Sequence, residues 1–167
     1  MSFARNLVQE AVRDFALEVN SISWIFADQE GDRPPRPYGT IKVLSSVALG
    51  LGEVELEESG IQIIERLREV FELDVSIQAF GRDAMDVLAA LKTHARRPST
   101  TIGSVGGVLL GFLSAGEVRD LAEVVSAGWE GRAQCDFRFS ARFDCELTID
   151  TIASVEILGA EGTHTTM

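Results

Sequence analysis

Histidine and cysteine are scarce in this 167-residue chain, which holds only His94, His164, Cys135 and Cys145. With no Cys-x-x-Cys or His-x-x-x-His spacing, a zinc site has no ligand set, and no metal is expected. Both cysteines share the parity of the phenylalanines between them, which reads them as small apolar fillers of a buried face. A disulfide would require the strand to fold back between Cys135 and Cys145, so nothing demands an oxidising compartment. Long apolar runs are also missing. The most apolar stretch, "IGSVGGVLLGFLSAG" at 102–116, is broken by glycines and falls short of the roughly 20 residues a spanning helix needs. It reads as a loop plus a buried strand. Residues 1–20 carry Arg5, Glu10, Arg13 and Asp14 within their apolar pattern, unlike an export signal.

Positive charge is in deficit, with 15 Lys and Arg against 26 Asp and Glu and a formal net charge of −11. A general duplex-binding surface is thereby excluded, because neutralising phosphates takes surplus cations. The usual catalytic signatures are missing too. "IGSVGG" is not followed by Gly-Lys-Ser or Gly-Lys-Thr, and no Gly-x-Ser-x-Gly elbow occurs. Acidic pairs such as Glu57 and Glu58 sit on what reads as a solvated turn rather than a tuned acid–base site. No enzymatic activity and no cofactor are expected.

What is present is a globular composition, 46% apolar and 25% charged, expected to form one domain over 1–158 with a flexible tail at 159–167. Phe3, Leu7, Val8, Ala11, Val12, Phe15 and Val19 predict a helix over 3–19. A short strand is expected within 21–29, then a proline-rich loop, then a strand at 38–49 opening after Pro37. "GLGEVELEESG" at 50–60 reads as an acidic turn. Residues 61–80 predict a long strand, with a bulge where "IQIIERLR" breaks parity. Asp83 is expected to cap a second helix running to His94. Lys92, His94, Arg96 and Arg97 read as cations at that helix's negative end, with a phosphate patch as the alternative. Further strands are expected near 106–113, 117–126, 129–144 and 147–158. The fold class expected is α+β, a mostly antiparallel sheet with two main helices packed on one face.

The stretch 129–144 alternates almost without fault. Ala133, Cys135, Phe137, Phe139, Ala141 and Phe143 fall on one parity; Arg132, Gln134, Asp136, Arg138, Ser140, Arg142 and Asp144 fall on the other. About 14 such residues extend about 45 Å, more than the core of a lone domain needs. Part of the ribbon should therefore project, and projecting strands attract other chains. Self-association follows. Trp129 is either an interface anchor or a half-buried core residue.

Three segments, "PYGTIKVL" at 37–44, "VSIQAFGRDAMDVLAAL" at 75–91 and "WEGRAQCDFRF" at 129–139, resemble in order the signatures of phage neck and tail terminator proteins. Gly131 stands where that pattern accepts a bulkier residue, and it reads as loosening the start of the strand. The resemblance implies a hexameric ring that caps the tail tube and joins it to the head connector or stopper. Tail tube and sheath proteins would be partners, and no catalytic residues carry over. Arg132, Asp136, Arg138, Arg142 and Asp144, with Trp129, would then meet neighbouring subunits or tail proteins. The acidic turn at Glu53, Glu55 and Glu57 would line a channel through which DNA passes unbound. The rival readings are another head–tail joining or tail completion subunit, and a small dimeric ligand-binding or enzymatic α+β domain with a pocket.

Overall fold

Two strands of 19 residues organise everything else: β4 (Gln62–Phe80) and β10 (Arg132–Asp150). The computed structural model describes residues 5–59, 62–103, 108–125 and 128–150. Helix α1 (Arg5–Val19) precedes β1 (Ser23–Phe26), β2 (Tyr38–Ala48), β3 (Glu53–Ser59) and β4. Helix α2 (Ala84–Ala95) follows, then β5 (Ile102–Gly103), β6 (Leu109–Ala115), β7 (Arg119–Asp120), β8 (Glu123–Val125), β9 (Gly128–Glu130) and β10. The main sheet has the order β1-β2-β4-β10-β6-β5, with β3 on β4 and β7 on β10; β8 and β9 pair separately.

The expected fold class is overturned. The protein is mostly β, with 54% strand against 20% helix, and its sheet is mixed and curled. β1 runs parallel to β2, whereas β4 runs antiparallel to both β2 and β10. Helix α1 touches β1 and β2 at one end of the strand order and β5 and β6 at the other. A sheet whose two ends meet the same helix must bend around it. The two helices therefore sit within a curl instead of forming a layer on an open face. Strand periodicity shows which side chains face inward, but not how far the twist of neighbouring strands accumulates.

Alternation along β10 works as the sequence suggests over its first half. Ala133, Cys135, Phe137, Phe139 and Ala141 are buried against Leu73, Val75, Ile77 and Ala79 of β4, with Ile41 and Val43 of β2. From α1 the core takes Val8, Ala11, Val12, Phe15 and Ala16, and from α2 it takes Ala84, Leu88, Leu91 and Ala95. Three local expectations need correction. The register break lies in β2, between Val43 and Ser45, whereas β4 pairs with β10 without interruption. Parity weakens at "IQIIERLR" because that half of β4 has left the core and neither of its faces is fully buried. Asp83 occupies the N-cap position of α2, but its side chain makes no capping bond.

The acidic segment is not a turn. Residues 53–59 form β3, paired in register with Arg68 back to Gln62, so "EVELEES" extends the strand system. Of the two strands expected at 129–144 and 147–158, residues 132–150 form one strand, Trp129 and Glu130 belong to β9, and residues 151–158 lie outside the described residues. The tail at 159–167 also lies outside them.

Candidate functional site: a sheet corner and a projecting arm

Three distant segments converge at one corner of the sheet. Tyr38, Phe80 and Arg132 share a rung, because Tyr38 and Arg132 both pair with Phe80. The rings of Tyr38 and Phe80 stack at 4.7 Å, and the Arg132 guanidinium lies 5.4 Å from the Phe80 centroid. Arg132 also donates to Gln78 Oε1 at 2.8 Å, which fixes its guanidinium against β4. The Gly81 N–H donates to the Gly131 carbonyl at 2.9 Å. A Cβ on Gly131 would collide with the Gly81 carbonyl oxygen. Gly131 thus tightens the start of β10 instead of loosening it. Arg36 Nη2 stands 2.5 Å from Glu130 Oε1, an ion pair by distance that is not aligned as a hydrogen bond. Around this corner Arg36, Pro37, Gly81, Arg82, Asp83, Trp129 and Gly131 line an open cleft. Trp129 is 78% exposed, which removes the core reading of that residue.

The polar face of β10 is paired internally. Asp136 meets Arg119 at 2.7 Å; Arg138 meets Asp74 at 3.1 Å and Glu72 at 3.3 Å; Arg142 meets Asp144 at 3.2 Å. A hydrogen bond from the Ser45 hydroxyl, and then one from Arg138, hold the Asp74 carboxyl below the usual carboxylate range. The same Asp74 contact raises the Arg138 guanidinium above its ordinary value. These groups are largely solvated, and such pairs contribute little to stability. They do leave fewer unmatched charges on this face than the sequence implied.

Beyond Leu73 and Ala141 no described residue of β4 or β10 is fully buried, yet the pairing continues to Gln62 and Asp150. Residues 62–70 and 142–150, with β3 alongside, form a three-stranded arm about 30 Å long at the usual strand rise. Side chains that are paired across strands share a face. One face of the arm therefore carries Glu53, Glu55 and Glu57 with Arg66, Arg68, Arg142, Asp144 and Glu146. Arg68 pairs with Glu55 at 3.0 Å and Glu53 at 3.8 Å, and Arg66 pairs with Glu57 at 2.5 Å and Glu146 at 3.3 Å. The hydrogen bonds that Arg66 donates to Glu57 and Glu146 raise its guanidinium above its ordinary value.

The opposite face continues the core side of the sheet. It presents Val54, Leu56, Leu67, Phe143, Cys145, Leu147 and Ile149. Leu56 is 64% exposed and Leu147 58% exposed. Cys145 is therefore exposed despite its parity, whereas Cys135 is buried and its thiol is pushed up by that burial. The sequence reading missed this apolar face, although the signal was there: the parity of the phenylalanines runs on unbroken through Cys145, Leu147 and Ile149. Among the described residues, no group of His, Cys, Asp and Glu side chains is arranged to hold a metal.

A family model described as phage neck terminator protein matches residues 6–165. No curated protein matches the chain.

Proposed function

The chain belongs to the phage neck terminator protein family, structural components of the virion neck, and from that premise we propose that its copies close into a ring at the end of the tail tube. Six is the number proposed. The ring joins the tube to the head connector or stopper, contacts sheath proteins where these exist, and is built in the host cytoplasm. DNA passes through it without being specifically bound. The unit that builds the ring is the described sheet and helices, within a single domain spanning 1–158.

One observation carries this reading: a 19-residue strand pair leaves the core and ends in an arm with an exposed apolar face. A lone subunit does not need such an arm, and an exposed apolar sheet invites another chain. Trp129 at the opposite end of β10 provides a second contact, because exposed aromatic side chains anchor interfaces. Arg132, Asp136, Arg138, Arg142 and Asp144 act here by fixing the face that neighbours meet, the last four with their charges matched in-chain and Arg132 held by Gln78 and the Phe80 ring. On the polar face of the arm carboxylates outnumber guanidiniums, which supports Glu53, Glu55 and Glu57 facing the channel and repelling phosphate.

Imaging of purified particles tests the proposal. Density for six copies of this chain in a ring at the head-proximal end of the tube is the expected result. A single copy, or a location away from the tail end, overturns it.

A further inference from the structure

The apolar face of the arm lies on the side of the sheet that α1 and α2 cover over the core half. Over the arm half Phe143 packs against the edge of the core, while Val54, Leu56, Leu147 and Ile149 are exposed among the described residues. Three carboxylates, Glu58, Glu65 and Glu69, share this face with the aliphatic side chains, since Glu58 pairs with Ile63, Glu65 with Leu147 and Glu69 with Phe143. Among the described residues none of the three forms an ion pair. This contrasts with the arm's other face, where Glu53, Glu55, Glu57 and Glu146 all meet an arginine.

The complementary surface is on the same protein. Helix α2 buries Ala84, Leu88, Leu91 and Ala95, which turns Met85, Asp86, Ala89 and Arg96 outward at helical spacing. Arg82 and Arg97 flank the helix. Arg82, Arg96 and Arg97 are exposed and form no ion pair among the described residues; the same holds for Arg33 in the proline-rich loop, and Arg132 is bound to Gln78, whereas Arg36, Arg66, Arg68, Arg119, Arg138 and Arg142 each have a carboxylate partner. The three arginines outnumber the two exposed acids there, Asp83 and Asp86. Met85, 40% exposed, supplies an apolar centre.

We propose that the outer face of α2 from a second copy of this chain packs on the apolar face of the arm. The carboxylates Glu58, Glu65 and Glu69 then lie against Arg82, Arg96 and Arg97 of the neighbour. The inference rests on the ring reading and names the contact that builds the ring. Dimensions agree: three strands about 4.8 Å apart and about 30 Å long seat one helix about 18 Å long and about 10 Å wide. Arm and helix are different surfaces, so the contact is head-to-tail, the kind that closes into rings. The helix footprint of about 200 Å² falls well below the roughly 800 Å² per partner of a standard interface. One contact is therefore weak, and closure of the ring supplies the rest.

The test uses the full chain. Cys145 lies in the middle of the arm face, in register with Leu67 and Val54, and the buried Cys135 stays silent to a maleimide. Alkylation of Cys145 by N-ethylmaleimide should slow several-fold as protein concentration rises and the chains associate. Two charge-reversed variants follow: E58K/E65K/E69K in the arm, and R82E/R96E/R97E around α2. Each alone should associate roughly tenfold more weakly or worse, because like charges then face each other. A one-to-one mixture should recover association, since each reversed surface meets its complement on the other variant. Unchanged melting temperatures show that the variants fold; if one does not, Cys145 protection and the remaining variant decide.

If wild-type chains associate while neither reversal weakens them, or Cys145 stays equally reactive in the assembled form, the contact is overturned and the ring stands. If Cys145 is protected only when tube protein is added, the arm belongs to that partner and the contact is again overturned. If wild-type chains remain monomeric at every concentration and no ring appears in particles, both readings fall together.

Discussion

At position 131 a single hydrogen in place of a methyl group decides how β10 begins. The Gly131 carbonyl accepts from the Gly81 N–H, and a Cβ would run into the Gly81 backbone oxygen, which has no side-chain freedom with which to yield. G131A should therefore destabilise the protein by about 2–3 kcal/mol, read as a fall in the denaturation midpoint. Farther along β4, opposite Arg138 and Ser45, Asp74 gives a pH signature. Its folded pKa is depressed, so its stabilising contribution is complete above the ordinary carboxylate range. That contribution is lost as the pH falls through the lowered folded value. D74N should lower stability at neutral pH and flatten the loss of stability on acidification; equal acid slopes in denaturant titrations of the two proteins would rule this out. The cysteines show what parity can and cannot say. Both point to the core side, but only Cys135 lies where helices cover it.

Among the elements, α1 was legible from its clean period and the polar residues after Val19, and β2 from its β-branched and aromatic residues opening after Pro37. β3 was not. "EVELEES" alternates as a strand does, but glutamate is a poor strand former and the flanking glycines suggest a turn. What makes it a strand is the adjacent edge of β4, whose Arg66 and Arg68 lie opposite Glu55 and Glu53. β10 behaves as two elements in energetic terms. F139A in its buried half should cost about 3–5 kcal/mol. L56D with L147D in the arm should change monomer stability by less than about 1 kcal/mol, because both side chains are already exposed, while abolishing association in sedimentation. Comparable losses from the two sets of substitutions would mean that the arm is part of the monomer's core.

For the whole molecule, the net charge of −11 acquires a direction once the arm has two distinct faces. One face is laced by Arg66 and Arg68, and the other carries unmatched Glu58, Glu65 and Glu69 among aliphatic side chains. Reversing Glu53, Glu55 and Glu57 to lysine tests the channel reading: particles should still assemble, but DNA release should slow and become salt-dependent, because phosphates would then be held. Infectivity and ejection kinetics equal to wild type would remove those residues from the channel.

By itself the sequence determined the long amphipathic strands, both helices, the family resemblance at the three corner segments and the surplus of strand over what one core requires. Those are properties of neighbours along the chain, and periodicity reports them directly. Only the tertiary structure decided that the sheet curls around α1, that the charges of β10 find partners on β4 and β7, and that the apolar parity continues past the helices into the open. Each of these depends on which strands lie side by side and where the covering helices end, information carried by contacts between residues far apart in the chain.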